Sequence, residues 1–152
     1  MEISDLLEPD AVVSLKASSK KHVLQELSKQ AALITEVSDR KIFDTLLERE
    51  RLGTTGVGKG IAIPHGKITD LGSLHGVFAR LEKPVDFESI DDLPVDLIFL
   101  LLAPAQSGAD HLKALARVSR LLRDTATCEK LRGASNTDGM YVLLTQSEAQ
   151  AA

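Results

Sequence analysis

The sequence predicts an α/β fold in which helices cover both sides of a mixed sheet. Three observations carry that prediction. The segment Asp96-Leu-Ile-Phe-Leu-Leu-Leu-Ala103 is too short to span a bilayer and too uniformly apolar for a half-exposed strand; it reads as a central strand buried on both faces. Amphipathic helical patterns stand before and after it. Short strand-like segments lie between these helices, an order that gives an α/β sandwich.

In chain order, residues 11–15 read as a short strand. Ser18 or Ser19 caps a helix over residues 20–34, with Val23, Leu27, Ala31 and Ile34 along one face. Ser38 caps a second helix over residues 39–52 that buries Ile42, Phe43, Leu46 and Leu47. Gly53-Thr-Thr-Gly-Val-Gly-Lys-Gly60 stops it, because a run so rich in glycine cannot sustain a helix. Residues 61–65 and 76–81 read as strands, and Pro104 ends the central one. A third long helix over residues 110–123 places Leu112, Leu115, Val118 and Leu122 at core spacing, with Asp110 as its cap. Two shorter helices, at residues 127–132 and 137–145, follow; residues 149–152 read as a frayed tail.

The bulk numbers narrow the function. With 152 residues, 43% apolar and 26% charged, the chain suits one domain with one core. A net charge of −4 offers no basic footprint for nucleic acid or an anionic membrane. No apolar run is long enough for membrane insertion, and the acidic start, Met1-Glu-Ile-Ser-Asp5, has no signal core. One cysteine, Cys128, precludes an internal disulfide and fits a reducing cytosol, so a cytoplasmic location is expected. Nothing in the sequence indicates an oligomeric state.

Of four histidines, His22 and His75 read as solvated or turn residues, whereas His65 has an unusual setting. Pro64 stiffens the backbone before it, Gly66 removes the side chain after it, and a glycine-rich loop lies upstream. A strand end flanked by glycines is expected at the rim of the sheet, where open α/β sheets hold ligands. The loop imitates a nucleotide-binding P-loop in Gly53-x4-Gly58-Lys59. However, Gly60 stands where that motif needs Ser or Thr, and the flanking helix and strand come in the reverse order. What remains is generic: Gly56, Gly58, Gly60 and Gly66 allow backbone N–H groups to cradle an anion.

His111 falls at the first turn of the third helix, where N–H groups and the macrodipole favour a phosphate and an imidazole N–H can add a hydrogen bond. Lys113, Arg117 and Arg120 beyond it form a solvated stripe. Glu48-Arg-Glu-Arg51 reads as solvated surface, from which either Arg49 or Arg51 can swing over an anion. The pattern does not choose between them. A metal site built from His65, His111 and Asp110 lacks close histidine spacing, so neither a metal nor another cofactor is expected.

These residues together resemble the enzyme IIA proteins of the bacterial phosphoenolpyruvate-dependent phosphotransferase system, in the mannitol–fructose–nitrogen superfamily. The likeness is strongest in Arg49-Glu-Arg-Leu-Gly-Thr-Thr-Gly-Val-Gly-Lys-Gly-Ile-Ala-Ile-Pro-His-Gly66. It continues through Pro84-Val-Asp-Phe, Pro94-Val-Asp-Leu-Ile-Phe-Leu-Leu-Leu-Ala-Pro104 and the segment from His111 to Arg123. The resemblance implies a mixed five-stranded sheet flanked by helices on both sides, with residues 1–148 as one enzyme IIA domain. It implies a phosphotransferase role, with phosphate accepted at Nε2 of His65 from the phosphohistidine of HPr or its nitrogen-branch paralogue. His111 and Arg49 match the residues that line that site. The likeness is greatest to the nitrogen-regulatory type, a stand-alone chain linked to nitrogen and potassium control through regulatory partners. Asp92 stands where the family often has Gly or Asn, which implies a strained turn outside the site.

A neutral imidazole is a competent nucleophile if its other nitrogen carries the proton, and a carbonyl accepting Nδ1–H would fix that tautomer. Cys128 has no loop to cradle a phosphate and is expected to be buried packing. Two alternatives remain: the enzyme IIA component of a fructose- or mannitol-type sugar permease, and a scaffolding domain without phosphate chemistry.

Overall fold

The chain opens with one turn of helix, α1 (Ile3–Leu6), and a 3₁₀ turn over Pro9–Ala11 that delivers β1 (Val12–Leu15). The structure, a computed structural model, describes residues 1–151 and the side chains through Gln146. The side chains of the tail expected at 149–152 lie outside that range. Ser19 Oγ accepts the His22 N–H at 3.1 Å and starts α2 (Lys20–Thr35). Ser38 Oγ accepts the Lys41 N–H at 3.4 Å and starts α3 (Asp39–Arg51). Each hydroxyl satisfies a backbone donor that a helix start leaves unpaired.

Six strand segments follow from five strand positions. Beyond α3 come β2 (Gly56–Gly58), β3 (Ile61–Ala62), β4 (His65–Ile68), β5 (His75–Val85) and β6 (Val95–Pro104). The order is β1-β5-β6-β3-β2, with β4 also paired to β6. β3 and β4 lie end to end along the same edge of β6, both parallel to it: Ile61 is opposite Leu97 and His65 opposite Leu101. The strand expected over residues 61–65 is therefore interrupted at Ile63 and Pro64. Proline has no N–H for the ladder with β6, whereas the Ile63 N–H points to the other side and extends the β2–β3 pairing to Thr55 O at 3.0 Å. His65 opens β4 and does not end a strand, so the expected strand-end position is corrected to a strand break.

β6 is the buried central strand, between β5 on one side and β3 and β4 on the other. Helices α2 and α3 pack on β5 and β4, while α4 (Ala109–Arg123) and α6 (Thr137–Ala151) pack on β6 and β1. Between them, α5 (Thr125–Gly133) buries Cys128, whose Sγ donates to Leu122 O at 3.2 Å. Burial pushes that thiol up from its ordinary pKa, which suits packing and not nucleophilic chemistry.

Two expectations about α4 need correction. Its cap position is Gly108, at φ +57° and without a side-chain bond, whereas Asp110 is the second helical residue and its N–H bonds Ser107 O. The buried stripe is Ala114, Val118, Leu121 and Leu122, while Leu112 is 66% exposed. Leu112 lies about 120° round the axis from Val118, outside a single core-facing stripe. Asp92 takes the left-handed φ of 59° implied for its turn, a region that aspartate tolerates better than most residues. No helix among the described residues is long and apolar enough to cross a membrane.

Candidate active site around His65

The break before β4 fixes the His65 ring. Its Nδ1 lies 2.8 Å from Ile63 O, and a carbonyl oxygen only accepts, so Nδ1 carries the proton. The other nitrogen, Nε2, accepts from Arg49 Nε at 3.3 Å. The two contacts require the same tautomer, with the proton on Nδ1 and a lone pair on Nε2. Arg49 also donates from Nη1 to Gly53 O at 2.9 Å, which ties the end of α3 to the start of the glycine loop.

His111 projects from the first turn of α4, its ring centroid 5.8 Å from that of His65 and tilted 45°. Its Nε2 is buried and has no hydrogen-bond partner among the described residues. Burial first, then the neighbouring His65 and Lys67, lowers its pKa below the ordinary 6.5, so the ring is neutral near pH 7. The structure thus brings His65, Arg49 and His111 together. Arg51 is exposed and pairs with Glu48 at 3.4 Å, which separates the two arginines that the sequence pattern left equal. His22 and His75 have local partners only: His22 Nδ1 accepts from the Ser18 N–H, and His75 Nε2 contacts Ser73 Oγ.

The expected glycine cradle is accounted for differently. A Cβ on Gly56 would collide with Ser89, and the Gly56 N–H is taken by Thr54 Oγ1. Gly58 and Gly60 have φ of +103° and +82°, and their α-carbons face Asp91, and Asp96 with Arg132. Carboxylates there disfavour an anion. Gly66 lets α3 approach β4, since a Cβ would meet Thr45 Cγ2 at 2.8 Å. The charged donors at His65 are therefore side chains.

Sequence reading missed Glu50, placed with the solvated charges at the end of α3. It is buried, bonded to Thr55 and paired with Lys20. Only its neighbours in space show this; an alternating charge run carries no sign of it. Among the described residues there is no group of three or more His, Cys, Asp or Glu that would hold a metal ion.

The polarised imidazole at the break in the sheet, faced by an arginine and a second histidine, lies in a domain of the phosphotransferase-system class. The chain belongs to that class as a member of the family described as "Phosphoenolpyruvate-dependent sugar phosphotransferase system, EIIA 2", matched over residues 5–147. Within it, the likeness is to nitrogen regulatory proteins. The chain is 54% identical to the nitrogen regulatory protein of Bradyrhizobium diazoefficiens, with all of both chains covered. The crystal structure of nitrogen regulatory protein IIA-Ntr from Neisseria meningitidis superposes with a TM-score of 0.89 at 32% identity, covering 94% of this chain and 99% of that one. A sugar-linked relative, the fructose-specific EIIA component of Haloferax volcanii, is 36% identical over 96% of this chain and 98% of its own.

Proposed function

We propose that the protein is a phosphoryl carrier whose Nε2 of His65 accepts phosphate from the phosphohistidine of an HPr-type carrier or its nitrogen-branch counterpart. Residues 1–148 act as one enzyme IIA unit, and the phosphorylation state is the output that regulates partner proteins. The observation that carries this reading is the polarity of the His65 ring: Nδ1 donates to Ile63 O at 2.8 Å and leaves the Nε2 lone pair toward Arg49.

In the transfer, the Nε2 lone pair forms the N–P bond while the donor's P–N bond breaks and its electron pair returns to the donor ring. The proton stays on Nδ1 throughout, hydrogen-bonded to Ile63 O. Charge spreads over the equatorial oxygens of a loose transition state. The Arg49 guanidinium, already beside Nε2, moves its donors to those oxygens. Neutral His111, with its proton on Nε2, would donate to a phosphoryl oxygen and so give that buried nitrogen the partner it lacks. Glycines 56, 58, 60 and 66 hold the backbone that presents these side chains. The new group adds nearly two negative charges at one surface spot, enough to weaken contact with an acidic partner or strengthen it with a basic one. Nitrogen-linked control and potassium transport are the settings that the nitrogen-type resemblance suggests.

The fructose-specific relative favours a second reading, a component serving a sugar permease. Incubation with phosphoenolpyruvate, enzyme I and HPr, read by intact mass, tests both against a scaffold without phosphate chemistry. One phosphate should appear on the wild type and none on His65→Ala; an unmodified wild type would leave the scaffold. Loss of uptake of one sugar in a deletion strain, with no partner distinguishing His65→Ala from His65→Asp in a pull-down, would favour the permease reading.

A further inference from the structure

Among the described residues Glu50 is the only buried charged one. A buried carboxylate is costly unless its oxygens are fully engaged, and these are. Oε1 accepts the Thr55 N–H at 3.0 Å and lies 3.0 Å from Lys20 Nζ, while Oε2 accepts the Thr55 hydroxyl at close range. Lys20 is held in turn over the Phe87 ring, 5.1 Å from its centroid.

We infer that Glu50 is a positioning residue for His65, setting both ring nitrogens from one carboxylate; this rests on the phosphoryl-carrier reading above. One arm runs through the backbone. Thr55, clamped by Glu50 at its N–H and hydroxyl, presents its carbonyl to the Ile63 N–H at 3.0 Å. The Ile63 carbonyl accepts the Nδ1–H of His65 at 2.8 Å. Ile63 lies in the break between β3 and β4, and its bond to Thr55 extends the antiparallel pairing of β2 with β3 by one residue beyond Gly56 opposite Ala62. Holding the Ile63 N–H restrains that residue's backbone and so aims its carbonyl at Nδ1 of His65. The other arm is the last turn of α3. Anchoring Glu50 to the loop holds Arg49, one residue earlier, with its Nε at 3.3 Å from Nε2.

The test uses Glu50→Ala, Glu50→Gln and Thr55→Val in the full chain, with two readouts. The first is the ring-nitrogen NMR spectrum of unmodified His65 at mildly alkaline pH, which reports the tautomer and needs no phosphate. The second is the single-turnover rate of phosphate uptake from phospho-HPr. Glu50→Ala should populate the Nε2–H tautomer and slow transfer by about tenfold to a hundredfold, the cost of a small misplacement. Glu50→Gln keeps an acceptor for the Thr55 N–H and should recover most of both. A residue that mattered only for stability would not move the tautomer of the folded protein. Should Glu50→Ala not fold, Thr55→Val carries the test, with changes in the same direction. An unchanged tautomer and a rate within about twofold of wild type in the folded variant would overturn the inference. A wild type that takes no phosphate would instead sink the carrier reading, and the tautomer alone would then decide the role of Glu50.

Discussion

Replacing Arg49 with alanine removes two bonds at once, Nε to His65 Nε2 at 3.3 Å and Nη1 to Gly53 O at 2.9 Å. The first is long for a hydrogen bond and adds little to the resting state. Its value rises only as negative charge gathers on the phosphoryl oxygens beside Nε2, so its loss falls on the transition state. Losing one donor of this kind costs about 2.7–4 kcal/mol, and at about 1.36 kcal/mol per factor of ten the transfer step slows by roughly 10²–10³. Single-turnover transfer from phospho-HPr, measured over a range of donor concentrations, should place the loss in the maximal rate. Arg49→Lys should restore at most about tenfold, because a point charge cannot hold Gly53 O and reach the phosphoryl group together. Arg51→Ala, which removes only an exposed pair with Glu48, should stay within about threefold of wild type. An Arg49→Ala rate within about twofold of wild type, or an equal loss in Arg51→Ala, would refute the assignment of charge stabilisation to this guanidinium.

Two further perturbations follow from the packing and the electrostatics. His111 has its pKa lowered below 6.5 by burial, with His65 and Lys67 adding to it; the neutral form is favoured in the folded state. Its contribution to stability is then present above the ordinary imidazole pKa and lost as the pH falls through the lowered one. Denaturation midpoints should show this loss in wild type and less of it in His111→Gln, and a ring titrating above the ordinary value in NMR would contradict it. Gly66→Ala puts a Cβ 2.8 Å from Thr45 Cγ2, so urea unfolding should show a loss of about 1–3 kcal/mol, as overpacking gives. The loss should be relieved by adding Thr45→Ala, and an unchanged stability of the single variant would show that α3 can retreat from β4 without cost.

The sequence by itself determined the elements whose signals are local. The serine caps of α2 and α3, the glycine stop after α3 and the unbroken apolar run of β6 each depend on residues a few positions apart. The setting of His65 between Pro64 and Gly66 was equally legible, because a proline–glycine frame acts on its own neighbours. The tertiary structure decided everything that depends on which way a helix faces. Arg49 and Arg51 differ by about 200° around α3, so only the docking of that helix on β4 selects Arg49 for the ring. The same docking turns Glu50 inward, where Lys20, thirty residues earlier in the chain, becomes its partner. On α4, periodicity located an apolar stripe but not its rotation, which left Leu112 outside and His111 within reach of His65. Local backbone rules act through adjacent residues and can be read in one dimension. Contact between side chains far apart in the chain depends on the orientation of packed elements, which three-dimensional packing alone settles.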